Sequence, residues 1–304
     1  MDAHTKRGGN KMQLTNENYH SREANMEYLS NSQYQGFMTC EHQEMGKLSG
    51  DIDKVKEEWD ISDPIAFIEG SYLDAWNNKN LDQFKASRPE LYKKDGELLT
   101  KYKHIEKIIE FLEKDPLFMN SLSGEKQKIF TAELFGAKWK IAIDSYFQRD
   151  GKKEGRIVDL KYLKSLKDKF WKYTEDGILI CEKTLEHRGY LDQIAIYCRI
   201  EQLANRPDKT IKIDNIKYPD YYEPFITVAT KEGSVPDKEI ISFNIEGQSY
   251  HEFIEYRLSL IEKNIERILA VKNGAVEPKR CGYCDYCKAT KILTGTTHYS
   301  YFLD

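Results

Sequence analysis

The sequence predicts an α/β protein in which a mixed central sheet is flanked by helices. Residues 128–135, 138–144 and 156–161 are three successive segments rich in β-branched and aromatic side chains, separated by Gly136 and by the turn-forming run from Arg149 to Lys153. Residues 103–115 and 250–271 instead repeat apolar side chains at helical spacing, so each presents one face to a core. Strands are also expected at 211–217, 224–230 and 238–244, extending the same sheet.

In chain order, residues 1–12 read as a flexible leader, 13–290 as one domain and 291–304 as a tail. A helix over 63–76 is entered through Pro64 as its first residue, where a missing N–H costs nothing. Pro116 stops the helix at 103–115, and Gly124 lies in the turn that leads into the strands. The three strands at 128–161 read as an antiparallel meander. From Lys152 to Lys172 there are eight basic residues against three acidic ones, a charged helix face or a set of phosphate contacts. Trp171 and Tyr173, placed on that helix, read as core or as platforms for stacked bases. Residues 188–203 form a helix that carries Gln193 and Tyr197 on one face.

Chemistry enters with Asp144 and, fifteen residues on, Asp159-Leu160-Lys161. Side chains at i and i+2 of a strand share a face, so Asp159 and Lys161 point together. Asp144 ends the preceding strand, where a twist or bulge would bring it beside Asp159. Crowded carboxylates repel, and a hard cation such as Mg²⁺ or Mn²⁺ relieves them. Lys161 would then orient water and offset charge on a phosphate. Read alone, the three residues also fit strand-end and solvated charges, and Gln193 and Tyr197 fit an ordinary amphipathic helix.

Taken in order, the motifs resemble those of the RecB-type nucleases of the PD-(D/E)XK superfamily: Gly70-Ser-Tyr-Leu-Asp74, Glu133, Asp144, Asp159-Leu-Lys161 and Gln193-Ile-Ala-Ile-Tyr197. Asp74 stands where that family usually has histidine, and Ile141 where the motif containing Asp144 has glycine. The resemblance implies a restriction-endonuclease-like core, one or two Mg²⁺ or Mn²⁺ ions on Asp74, Asp144, Asp159 and the Leu160 carbonyl, and Glu133 near metal or substrate. Gln193 and Tyr197 would position DNA or the catalytic strand.

Cys281-Gly-Tyr-Cys284-Asp-Tyr-Cys287 is a spacing that lets thiolates converge on one metal or cluster. Some RecB-type nucleases, including AddAB-type nuclease domains, pair such a triplet with an N-terminal cysteine around a [4Fe-4S] cluster. That resemblance implies Cys40 as the fourth ligand. Zinc, with His298 as a possible ligand, and no metal stay open. Cys181 and Cys198 lie in apolar surroundings and read as small core residues.

The chain has 304 residues, a net charge of −4 and no apolar run long enough for a membrane span or signal core. Cysteines without a secretory signal fit a reducing compartment, the bacterial cytoplasm. The organisation resembles that of the lambda-exonuclease and RecE (exodeoxyribonuclease VIII) groups. It implies an exodeoxyribonuclease acting on linear duplex DNA in recombination or repair, beside a single-strand annealing protein. An endonuclease and a catalytically inactive DNA-binding module are the alternatives; oligomeric state stays open.

Overall fold

The computed structural model describes residues 12–151, 153–173, 176–231, 233–244 and 248–299, so all but the last residue of the expected leader, Lys152 and the last residues of the tail lie outside the described part. Two compact units form, one from Met1–Asn31 and Asp63–Ile265 and the other from Ser32–Ser62 and Glu266–Asp304.

In the first unit, β1 (Lys128–Leu134) and β2 (Ala137–Ile143) make an antiparallel hairpin with Lys128 opposite Ile143. Its two-residue turn, Phe135-Gly136, has positive φ at both positions, the conformation whose twist matches paired strands. Only Asp144 separates β2 from β3 (Ser145–Phe147), which pairs antiparallel with β4 (Arg156–Leu163), Ser145 opposite Val158. β5 (Lys169–Tyr173) and β6 (Leu179–Lys183) form a hairpin, as do β7 (Thr210–Ile213) and β8 (Ile216–Pro219). β9 (Glu223–Thr230) runs parallel to β4, and β10 (Asp237–Ser242) antiparallel to β9. The central sheet is therefore mixed, in the order β10-β9-β4-β3.

Alternation along β4 divides structural from chemical residues. Val158 and Leu160 are buried with Ile68, Tyr72 and Leu73 of the helix Ile65–Asn77 and with Ile105, Ile108 and Leu112 of the helix His104–Glu113. Each such side chain stabilises the fold by about 1.5–3 kcal/mol on full burial. Asp159 and Lys161 project to the other face, where the helix Tyr190–Asn205 supplies Gln193.

Several expectations are corrected here. The meander is interrupted: β2 leaves the ladder at Asp144, and β4 takes its second neighbour, β9, from far along the chain. Residues 169–173 are strand rather than helix, and Trp171 is exposed rather than core. The stretch 211–217 crosses a hairpin turn at Asp214-Asn215, both with positive φ, and this hairpin stands apart from the central sheet. Pro64 caps its helix from outside, and Pro116 opens a further helix, Pro116–Ser121. Cys181 is exposed, whereas Cys198 is buried as expected.

The second unit packs the helices Glu41–Ser49, Asp51–Glu58 and Asp285–Ala289 with most of the helix Asn31–Thr39 and the last turns of the helix Tyr250–Lys272. Gly46 is required there, since a Cβ at this position would lie 2.4 Å from the Tyr286 ring. Arg267 grips Glu41 at 2.8 Å, and Lys272 donates to Gln33 at 2.9 Å.

Candidate active site

Asp144 sits where β2 and β4 part, and its side chain takes over the role of the missing ladder. Its Oδ2 accepts the Leu160 backbone N–H at 2.8 Å, while Oδ1 accepts from Gln127 Nε2 at 2.9 Å. Gln127 holds φ +47, a left-handed backbone that non-glycine residues seldom adopt. One residue along β4, Asp159 is almost fully buried. Its Oδ2 lies 2.7 Å from Lys161 Nζ, and its Oδ1 accepts from Gln193 Nε2 at 3.0 Å. Gln193 Nε2 also donates to the Tyr197 hydroxyl at 2.9 Å, so the helix pair reaches the carboxylate as one connected unit. The Tyr190 ring lies 5.0 Å from the Lys161 ammonium, a cation–π contact.

Asp74, near the end of the helix Ile65–Asn77, shares an electrostatic field with Asp144, Asp159 and Lys161. Burial, reinforced by Asp144 and Asp159 against Lys161, pushes its carboxyl up to about 8. The Asp74 side chain still has solvent access, which damps that push, whereas Asp159 is sealed. For Asp159 burial again raises the pKa, with Lys161 pulling it down and Asp144 pushing it up. Burial opposes charge on Lys161, but Asp159 and Asp144 outweigh it and hold the ammonium above the usual lysine range.

The donor set fits Mg²⁺ or Mn²⁺: carboxylates from three elements hold more negative charge than one lysine balances, the condition a hard dication relieves. These carboxylates act on one another at longer range than thiols do elsewhere in the chain. Among the described residues, the four cysteines are the group whose ligand atoms all lie within 4.8 Å. What the structure shows of Leu160 at the site is its N–H on Asp144.

Glu133 does not join the site. It is exposed on β1 opposite Lys138, at the end of the hairpin remote from Asp144, which follows the partner of Lys128. Five residues of strand separate the two ends, about 16 Å at the rise of an extended chain. The basic run is also dispersed: Lys161 is within the site, Arg156 lies over Phe147, Lys164 faces Asp168 and Lys172 pairs with Glu182. His298 is exposed and lies outside the metal-ligand group that Cys40, Cys281, Cys284 and Cys287 form in the second unit.

Sequence reasoning missed Gln127, Lys126, Asn77 and Tyr190. Lys126 donates to Asn77 Oδ1 at 2.6 Å and to the Leu122 carbonyl, and Asn77 Nδ2 reaches the Asp144 carbonyl oxygen at 3.4 Å. Asn77 had a signal, lying three residues beyond Asp74 on the same helix side; Gln127 and Lys126 had none, in a charged run before a strand. Asn77 and Lys126 also line an open cleft of ≈ 680 Å³ with Trp76, Lys79, Met119 and Leu122.

A mixed sheet carrying the Asp159-Leu160-Lys161 strand, with Asp144 leading into its edge strand β3 and with Gln193 bonded both to Asp159 and to the Tyr197 hydroxyl, defines a nuclease fold of the PD-(D/E)XK type. More narrowly, the chain belongs to the family DUF3799, a PDDEXK-like domain of unknown function, whose model matches residues 30–290. It is similar to a crystal structure of a protein from Eubacterium rectale described as a putative exonuclease. Identity is 37%, the TM-score is 0.77, and the match covers 96% of this chain and 98% of that one. A second structure, SSO0001, is 10% identical with a TM-score of 0.28 and carries no argument. No curated protein matches. Among the described residues no helix is long and apolar enough to cross a membrane.

Proposed function

We propose that the protein is a metal-dependent exodeoxyribonuclease that hydrolyses linear duplex DNA from its ends in recombination or repair. The observation that carries this reading is the buried contact of Lys161 with Asp159, 2.7 Å, beside Asp144 at the junction of β2 and β3. The Eubacterium rectale protein, described as a putative exonuclease, supports the choice of end-dependent attack.

Asp74, Asp144 and Asp159, with the Leu160 carbonyl, would hold the divalent cation, which supplies Lewis acidity toward the scissile phosphate and a more acidic water. Lys161, its ammonium held above the usual lysine range by Asp159 and Asp144, would orient water and offset charge on the phosphate. Gln193 fixes Asp159 with one oxygen left to Lys161, and Tyr197 fixes Gln193. Lys79 and Lys126 in the adjoining cleft offer positive charge to a DNA backbone. A single-strand annealing protein is the partner such a reaction would feed.

The test is degradation of end-labelled linear duplex by wild type and Lys161→Ala, with Mg²⁺ or Mn²⁺ against EDTA, beside a covalently closed circle. Metal-dependent loss of label from linear DNA alone, abolished in Lys161→Ala, is expected. Cleavage of the circle would replace this reading with an endonuclease, and DNA binding without cleavage would replace it with a binding module.

A further inference from the structure

We infer that Cys40, Cys281, Cys284 and Cys287 hold one tetrahedral zinc ion rather than the [4Fe-4S] cluster that the resemblance to iron-sulfur nucleases implies. The sulfurs are spaced for a single ion. Cys40 Sγ lies 3.6 Å from Cys287 Sγ and 3.9 Å from Cys284 Sγ, and Cys281 Sγ lies 4.0 Å from Cys287 Sγ. All four sulfurs fall within 4.8 Å of one another.

A single ion with Zn–S bonds of about 2.3 Å places its four sulfurs at the corners of a tetrahedron with edges of about 3.8 Å. A cubane binds each thiolate through a different iron, which spreads the four sulfurs about 6 Å apart. The observed separations match the first figure and leave no room for the second. They are also far longer than a disulfide bond of about 2.05 Å. Among common metals, four thiolates in a tetrahedron suit zinc, which has no geometric preference of its own to resist them.

The backbone is arranged for the charge that four thiolates would bring. Three N–H groups point at sulfur, each from a residue three positions on: Gln43 to Cys40, Cys284 to Cys281 and Cys287 to Cys284, all at 3.4 Å. Gly282, with φ +82, makes the tight turn that brings Cys284 back under Cys281. Arg280 lies alongside, donating to the Cys287 carbonyl at 2.7 Å. Cys40 and Cys287 are buried and the other two are half-buried, so the site is closed by protein on one side and holds no open position for chemistry. Its role is structural: it ties residues 32–62 to residues 266–299 within the second unit, releasing the four thiol protons as the ion binds.

Full-length protein, purified without oxygen and without a metal-affinity tag from cells supplied with both metals, should be colourless. It should contain about one zinc per chain and no acid-labile sulfide. Cobalt exchange should produce the intense visible bands of a tetrahedral tetrathiolate. Titration of wild type with a thiol reagent should release zinc in step with modification of the four cysteines, a readout that stands even if Cys281→Ser does not fold. Cys181→Ser, which alters an exposed cysteine outside the group, should keep its zinc. Brown protein with iron, with or without sulfide, or metal-free protein with freely reactive thiols, would overturn the inference.

Discussion

Replacement of Gln193 by leucine should slow DNA hydrolysis in a chain that still folds. Gln193 is buried, and its amide makes a hydrogen bond of 3.0 Å to the sealed Asp159 carboxylate. A hydrogen bond to a charged group contributes about 1.5–3 kcal/mol. If that energy holds Asp159 in its reactive orientation, its loss is worth about 10- to 150-fold in rate. Asp159 Oδ1 would then be free to turn toward Lys161, so kcat should fall while KM for DNA stays near its original value. Tyr197→Phe removes only the acceptor of the second Gln193 N–H, a neutral bond worth about 0.5–1.5 kcal/mol, so its effect should be about tenfold or less. Because Tyr197 reaches Asp159 through Gln193, the double variant should be no slower than Gln193→Leu alone. The assay is the initial rate of label release from linear duplex at saturating Mg²⁺, with thermal unfolding as the control for folding. A Gln193→Leu enzyme within about twofold of wild type refutes the positioning role, and additive losses in the double variant would mean that Tyr197 acts on DNA independently.

Glu133→Gln should leave the rate of cleavage unchanged, since the side chain lies at the far end of the hairpin; a large loss would show that Glu133 meets DNA directly. Arg206→Ala should destabilise the first unit. Arg206 grips the fully buried Glu201 through two contacts, of 2.8 and 2.6 Å, and breaking a buried pair costs about 3–5 kcal/mol. The expected fall in the thermal midpoint is about 10 °C, and an unchanged midpoint would contradict it. His251 should weaken the fold in acid. Enclosed by the rings of Tyr218, Tyr221 and Tyr250, with Asp220 opposing, its imidazole is pushed down by burial from 6.5 to about 4. The unfolded chain therefore binds the extra proton first as pH falls. Stability is fully present above about 6.5 and declines by about 3 kcal/mol as pH drops through 4. Denaturant titrations across this range should show a shallower decline in His251→Gln; an identical slope would assign the acid loss to other groups.

The parts of the site that could be read from the sequence are those carried by local pattern. Asp159 and Lys161 share a face because strands alternate, and Gln193 and Tyr197 share one because helices repeat. The helix at 250–271 is present within one residue of its expected end because its apolar spacing is sustained. What could not be read depends on contacts distant in sequence or on individual backbone angles. Nothing local in β4 names β9 as its parallel partner, and Gln127 reaches Asp144 through a left-handed φ that no composition announces. Around Lys169–Tyr173, closely spaced charges and adjacent aromatics concealed the period of a strand. Asp214-Asn215 did carry a turn signal, since both residue types tolerate positive φ, and it divides what otherwise reads as one strand. Glu133 shows the limit of motif order, which places a residue along the chain and not at the correct end of a hairpin.

Asp144 has a second occupation besides its proposed chemistry: its carboxylate accepts the Leu160 N–H that β2 abandons when it diverges from β4. Leaving such a buried donor unmet costs about 1–3 kcal/mol, so substitution there is opposed by folding whether or not DNA is ever cut. A descendant that lost its catalytic power would still be selected to keep an acceptor at this position. Across relatives, then, persistence of Asp144 is poor testimony to activity.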